Sequence, residues 1–389
     1  MLNSHPIQYF APLYAFLNRE PDLEVTALYL SDFSIRGGHD KGFGQSFFWD
    51  IDLLSGYPYR FLGDAAKRRQ PGGFSSMLAP EVWSAVRQGG YHALWLHGHA
   101  YAANLLALAA ARSVGVPVLM RCETHLQLTR GKLKRALRST ALRSLYSQCA
   151  RLLAIGSANH EFYCSLGIPE EKIFRVPYVV DNRRFIETSR LSAEERSDVR
   201  RSLGVEDDLP VVLYASKLQR HKRPHDLVEA CSMLAAEGVA FHLVMVGSGE
   251  MEQELRQMVE LRAVPRTHFS GFVNQSALPR VYSASDVFVL PSEEEPWGLV
   301  VNEAMCAGLP IVATTAIGSA RDLVEQGRNG AIYRAGDAAG LAAALKPILN
   351  DERVRRAMSQ HSRERIMNWG FEQCRDGLRS ALEGLSRSG

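Results

Sequence analysis

Cysteine is scarce: six residues in 389, at 122, 149, 164, 231, 306 and 374, with no Cys-x-x-Cys pair. That scatter offers neither a disulfide framework nor the paired spacing of a zinc finger, and it fits a reducing compartment. No stretch approaches the ~18–20 consecutive apolar residues that cross a bilayer. The opening Met1-Leu2-Asn3-Ser4-His5 lacks the basic and apolar regions of a secretion leader. No glycine occurs before Gly37, and no short repeat or low-complexity tract interrupts the chain.

What is present is ordinary for a folded protein, 46% hydrophobic and 22% charged, at a length sufficient for two domains. The net charge of +3 is unevenly spread: residues 1–180 carry 19 Lys/Arg against 13 Asp/Glu, the remainder 26 against 29. The basic half therefore suits an anionic surface better than the acidic half does. A charge this modest, with no recognisable DNA- or RNA-binding module, argues against nucleic acid as a partner.

Short β-rich apolar runs alternate with helical periodicity, the pattern of parallel α/β units. In the first half, 25–30, 92–97, 116–121 and 151–155 read as strands, and 12–17, 80–88 and 102–114 as helices. The first strand reads as clipped, since only Met1 to Asn3 precede Ser4-His5-Pro6; a late-assigned start or a shortened edge would explain it. The polar stretch 186–208 reads as an inter-domain linker. Beyond it, 211–215, 241–246, 268–272, 287–290 and 311–314 read as strands. Helices read at 224–237, 251–261, 275–283, 299–307, 319–326 and 338–350, with a last amphipathic one at 369–385.

The strongest chemical signal is Pro291-Ser-Glu-Glu-Glu295-Pro-Trp297-Gly298-Leu299-Val300-Val-Asn-Glu303. Glu295 follows a strand end and Glu303 lies inside the next helix. Open α/β sheets bind ligands at the carboxyl ends of their strands. Gly298 leaves room for a ligand beside the backbone, and the helix start at Leu299 and Val300 offers free N–H donors to an anion. A carboxylate at Glu295 can accept bonds from sugar hydroxyls, and one at Glu303 the paired hydroxyls of a ribose. Taken alone, the acidic run would serve equally as a helix cap. A second signal is Tyr214-Ala-Ser-Lys217-Leu-Gln-Arg-His-Lys222-Arg-Pro224, two lysines five apart between a strand and a helix opened by proline. Such lysines can flank a diphosphate and stabilise the charge that develops as it leaves, though a solvated basic turn would look the same. Val246-Gly247-Ser-Gly-Glu250 is a glycine-rich strand-to-helix turn, suited to a phosphate or simply to a tight connection.

Together these residues resemble the signature of family 4 glycosyltransferases of the GT-B fold: Glu, seven residues, Glu, with Gly-Leu-Val inside. Where the family more often carries Phe or Tyr, this chain has Trp297. The resemblance implies two facing Rossmann-like domains with an interdomain cleft: an acceptor domain at 1–183, a nucleotide-sugar domain at 184–370, and a final helix, 371–389, returning to the first. It implies a retaining, nucleotide-sugar-dependent hexosyl- or related transferase that needs no metal or other cofactor, with Glu295, Lys217 and Lys222 catalytic. Donor contacts would come from Glu303, Gly298, Leu299, Val300 and Gly247, and from Gly271, Phe272 and Val273, which resemble the family's nucleobase loop. His5, Gln8, His97, Arg121 and Glu123 lie at strand ends of the first half and are placed at the acceptor or in the cleft, though His5 could equally cap a helix and His97 be structural. The Asp50-Ile-Asp52 triplet lies away from the donor residues and reads as incidental.

The run 126–150 holds Arg130, Lys132, Lys134, Arg135, Arg138 and Arg143 without an acidic residue, interleaved with leucines. It suits peripheral contact with an anionic membrane, each cation adding about 1 kcal/mol near such a surface, or a solvated face packed on its own domain. The implied setting is cytoplasmic, at the inner face of the cell membrane, in polysaccharide, lipopolysaccharide or glycolipid synthesis with a glycan or glycolipid acceptor. Rival readings are a nucleotide-sugar epimerase, a phosphorylase, and a non-catalytic sugar-nucleotide-binding subunit.

Overall fold

The computed structural model describes residues 1–40, 45–65, 72–124 and 132–385. The chain divides into two compact units: Met1–Gly38 with Ser46–Tyr178 and Phe371–Gly389, and His39–Gln45 with Val179–Gly370. Each is a parallel α/β sandwich.

The first unit's sheet contains β1 (Leu2–Asn3) and β2 (Ala27–Tyr29). A separate two-stranded ribbon follows, β3 (Gly38–Asp40) with β4 (Gln45–Phe47). The main sheet continues with β5 (Tyr59–Phe61), β6 (Leu94–His97), β7 (Val118–Arg121), β8 (Arg151–Ala154) and β9 (Ile173–Arg175). Its order is β5-β2-β1-β6-β7-β8-β9, every pair parallel. Buried Leu28, Leu96, Met120 and Leu152 form one face against helices Glu81–Gln88 and Ala102–Ser113. β1 is two residues long, as short as the sequence suggested.

The final helix, Phe371–Leu382, packs within this first unit. Phe371 meets Phe16 at 5.5 Å, and Arg379 pairs with Glu20 at 2.7 Å and Asp22 at 2.5 Å.

The second unit's sheet contains β10 (Val211–Ala215), β11 (His242–Val246), β12 (Thr267–Gly271), β13 (Val287–Leu290), β14 (Ile311–Thr314) and β15 (Gly330–Tyr333). Its order is β12-β11-β10-β13-β14-β15, again parallel throughout. The central strands are buried on both faces, which is why they read as unbroken apolar runs.

The stretch read as a linker is instead helical, at Asn182–Thr188 and Ala193–Ser202. Ser192 and Glu195 close a capping box on the second of these, satisfying backbone donors at both ends of the exchange. Arg196 and Arg200 reach Asp286, at the start of β13, at 3.0 and 3.2 Å. A polar segment can be structural when its charges are spent on the domain beside it. No helix among the described residues is long and apolar enough to cross a membrane.

Candidate active site

In the second sheet, β10 and β13 are neighbours at the point where the winding reverses: β11 and β12 lie on one side, β14 and β15 on the other. Crevices outside the carboxyl ends of strands at such a reversal are where open parallel sheets take ligands. Lys217 and Lys222 follow β10, and Glu295 follows β13. The fold therefore brings together groups that lie more than 70 residues apart in sequence. Lys222 Nζ and a Glu295 carboxylate oxygen form an ion pair, both side chains about 15% exposed.

The two loops are fixed from several directions. Glu293 N–H donates to the His221 carbonyl at 3.0 Å, tying the acidic loop to the 3-10 turn Arg220–Lys222. Arg223 clamps Asp226 at 2.6 Å and Glu293 at 3.0 Å. Gly318 N–H donates to the Glu295 carbonyl and Ser319 N–H to that of Trp297, at 3.1 and 2.9 Å. Trp297 is buried; its indole N–H donates to Asn302 at 2.9 Å and its ring stacks on Trp369 at 5.3 Å. The aromatic at 297 is thus a core anchor, which the motif alone did not reveal.

Lys217 is half-buried, its carbonyl accepting from the Tyr214 hydroxyl at 2.7 Å. Burial, and then Glu295, push that phenol above its ordinary range. The next loop, Gly247-Ser248-Gly249, lies directly against Ser216–Leu218: Leu218 N–H donates to the Ser248 carbonyl at 3.0 Å. Gly247 N–H in turn donates to the Gly271 carbonyl at 2.7 Å, joining the ends of β11 and β12. Gly247 adopts φ +128°, and a Cβ there would lie 2.0 Å from the Ser216 carbonyl oxygen. Gly247→Ala is accordingly expected to cost about 1–3 kcal/mol in strain. Its melting curve checks this; an unshifted melt would mean the loop yields freely. Phe272 and Val273, after Gly271, are half-buried at the same edge.

Gly298 caps helix Leu299–Cys306 in a left-handed conformation (φ +90°), with Glu295 Cγ 3.2 Å from where a Cβ would stand. Leu299 is buried and Val300 half-buried in the first turn. Glu303, one turn further, has no exposed surface and accepts from the Tyr282 hydroxyl at 2.8 Å. The structure therefore seats Glu295 at the loop surface and Glu303 in the interior behind it. Tyr282 carried no signal in the sequence; its role follows from a helix packing across the motif.

The first-unit residues end β1, β6 and β7. His5 Nδ1 lies 2.9 Å from Ser4 Oγ and the ring meets Phe33 edge-on at 5.9 Å, while Gln8 is half-buried in the turn before helix Phe10–Leu17. His97 and Arg121 are cross-strand neighbours. The three guanidinium nitrogens of Arg121 are buried with no hydrogen-bond partner among the described residues, facing the rings of Tyr178 at 4.5 Å and of Phe10 and Trp95 at 5.6 Å. Arg121 is thus turned into the unit, whereas Glu123 is exposed. The Asp52 carboxylate accepts from Leu54 and Ser55 N–H at 2.9 and 3.1 Å, an ordinary turn. Of the basic run, 126–131 and the side chains of 132–137 lie outside the described residues; the helix Lys132–Ser147 carries Arg138 and Arg143.

His97 Nε2 pairs with the Tyr14 hydroxyl at 3.0 Å. Burial and then the Arg121 charge hold its pKa well below 6.5, so the folded chain keeps it neutral. The unfolded chain binds a proton below pH 6.5 that the native state refuses, so stability falls as pH falls through that value. The loss is expected to reach at most about 2 kcal/mol at pH 5. Melting temperatures from pH 7.5 to 5 check the slope, which His97→Gln should flatten.

The family described as "Glycosyl transferases group 1" matches residues 195–365, and the "Glycosyl transferase 4-like domain" matches 56–179. Each of the chain's two units is thus similar to one of these glycosyltransferase models. An uncharacterised glycosyltransferase of Methanocaldococcus jannaschii is 32% identical over 48% of this chain and 47% of its own length. D-inositol 3-phosphate glycosyltransferase of Geodermatophilus obscurus is 32% identical over 50% and 45%. The chain thus matches about half the length of these curated relatives. Among solved structures, Anabaena HepE in complex with UDP and glucose aligns with TM-score 0.72, 20% identity, and coverage of 99% of this chain and 98% of that one. The lipopolysaccharide outer core galactosyltransferase WaaB, in its apo form, aligns with TM-score 0.67 and 15% identity over 98% and 99%. The fold is GT-B, with two Rossmann-like domains.

Proposed function

We propose that the chain transfers a sugar from a nucleotide-sugar donor to an acceptor hydroxyl, with retention at the anomeric carbon and no metal at the diphosphate. The supporting observation is the Lys222–Glu295 pair at the reversal point of the second sheet. An ammonium there can take the charge of a departing diphosphate, and a carboxylate beside it can hold sugar hydroxyls. In this scheme the bond from the anomeric carbon to the diphosphate oxygen breaks and its electron pair leaves with the diphosphate. The acceptor oxygen bonds to the same face, and its proton passes to the departing phosphate. Lys217 and Lys222 stabilise the diphosphate, Glu295 orients the sugar, the amides of Leu299–Val300 add donors, and Gly247, lacking a side chain, lets the donor approach the backbone closely. Gly271, Phe272 and Val273 meet the base. Glu303, buried against Tyr282, serves the donor from beneath by steadying the helix that presents these amides, in place of the direct ribose contact expected from the motif.

The acceptor is assigned to the first unit, to His5, Gln8, His97 and Glu123, with Arg121 acting from beneath. The proposed setting is synthesis of cell-surface polysaccharide, lipopolysaccharide or glycolipid at the cytoplasmic face of the membrane. Contact there would come through the cation-rich 126–150 stretch. The test is a thermal-shift screen of UDP-, GDP- and ADP-sugars followed by product analysis. A matching donor raises the melting point by mass action, and transfer then proceeds in EDTA with the anomeric configuration kept. No shift with any donor overturns the reading. Epimerised sugar without acceptor, or binding without turnover across an acceptor panel, replaces it with one of its rivals.

A further inference from the structure

Three chemically different side chains converge on the first unit, at the end of helix Ser157–Ser165. His160 and Cys164 stand one turn apart, so both project from the same helix face. Glu170 returns to them from the following 3-10 turn, Glu170–Lys172. His160 Nε2 lies 2.8 Å from Glu170 Oε1, Cys164 Sγ lies 3.3 Å from Glu170 Oε2, and Cys164 Sγ lies 3.7 Å from His160 Nδ1. One donor atom from each residue falls within 4.8 Å of the others, and this is the one such group found among the described residues.

We propose that His160, Cys164 and Glu170 form a binding site for a divalent transition metal of the zinc class. A tetrahedral zinc ion with thiolate, imidazole and carboxylate ligands holds its donor atoms ~3.3–3.7 Å apart. One atom of each residue here already lies within 4.8 Å of the others, so that small side-chain rotations bring one imidazole nitrogen, the sulfur and one carboxylate oxygen to that spacing. One nitrogen, one sulfur and one oxygen donor select zinc, cobalt or nickel over magnesium or calcium, which take oxygen shells. Three protein ligands leave a fourth position for water. On binding, the Cys164 S–H bond gives way to a sulfur–metal bond and the proton leaves to solvent.

The surrounding chain holds the donors in place beforehand. Gly167, at φ +71°, reverses the backbone after the helix, with Gly167 N–H donating to the Cys164 carbonyl at 2.8 Å and Ile168 N–H to that of Tyr163 at 3.3 Å. Leu166 and Ile168 are buried on either side, which fixes the turn that delivers Glu170. Cys164 is also the only exposed cysteine of the six, so the site is open to solution and its thiol can be tested separately from the others. The absence of a Cys-x-x-Cys pair hid this arrangement, because its third ligand is set by a turn and not by a repeat.

The test uses tag-free full-length protein freed of metal by chelation and titrated with Co2+ alone. The expected result is about one ion per chain, with a near-ultraviolet thiolate-to-cobalt band that Zn2+ displaces. Cys164→Ser should lose the band, and His160→Ala and Glu170→Gln should each weaken binding at least ~10-fold, as ligand losses do. Melting curves of the metal-free variants confirm that they fold. Absence of the band, its survival in Cys164→Ser, or unchanged affinity in the other two variants would overturn the assignment. Donor binding and transfer are read separately, so either result leaves the transferase reading where it stands.

Discussion

Lys222→Ala is expected to lower kcat by about two to three orders of magnitude while changing the donor KM much less. A single charge aimed at a developing anion contributes about 2.7–4 kcal/mol to a transition state and little to the ground state. Lys222 meets that description: its ammonium is partly withdrawn from water beside Glu295, where Coulomb terms exceed those of an exposed pair. Glu295→Ala should lose activity comparably, by removing the group that orients the sugar and by leaving Lys222 without that counter-charge. Because the two side chains touch, their losses should not add. The double variant should be close to the worse of the singles, since each single already breaks the same constellation. Steady-state kinetics with the matched donor decides. If Lys222→Ala keeps more than about a tenth of wild-type kcat, Lys222 is not at the reacting phosphate.

Asp286→Ala is expected to destabilise the second unit by about 3 kcal/mol, lowering its melting point by roughly 6–12 °C. Asp286 accepts from Arg196, from Arg200 and from the Val211 N–H at 2.8 Å, so one carboxylate ties helix Ala193–Ser202 to the starts of β10 and β13. Arg200 is only 6% exposed, and its remaining bonds go to the carbonyls of Ala284, Asp207 and Leu209. Removing Asp286 leaves a buried guanidinium facing neutral dipoles, and breaking one side of such a pair costs more than the pair contributed. Arg196→Ala should cost far less, because its side chain is 36% exposed and solvent screens the pair. Adding Arg200→Met to Asp286→Ala should recover part of the loss by deleting the orphaned charge. Thermal unfolding checks all three, and a loss under 1 kcal/mol for Asp286→Ala would show that the helix is held by its apolar contacts instead.

These expectations mark where the sequence was readable. The interior strands β10, β13 and β14 begin and end where the apolar runs do, because a strand buried on both faces must be apolar throughout. Besides the small β3–β4 ribbon, the strands that escaped notice, β5, β9 and β15, all lie at the edges of the two main sheets. β5 is Tyr59-Arg60-Phe61, mostly exposed, and an edge strand needs no continuous apolar run to hold its place. Helix Glu352–Ile366 was missed for a related reason: it buries only Met358, Ser362 and Ile366, too narrow a stripe to stand out among its charges. The linker at 186–208 failed because polarity reports composition, not partners, and its Arg196 and Arg200 are consumed by Asp286.

The donor site divides the same way. Local sequence fixed the motif from Glu295 to Glu303, the lysine pair and the glycines, because strand-end loops and helix starts demand particular residue types at short range. It could not say that Lys222 would land on Glu295, that Glu303 would sit inside against Tyr282, or that Trp297 would stack on Trp369. Nor could it show Arg121 enclosed by three rings, or Glu170 returned to His160 and Cys164. Those facts depend on which strands become neighbours and how a turn closes, decided by burial of the sheets as wholes and invisible in any window of residues.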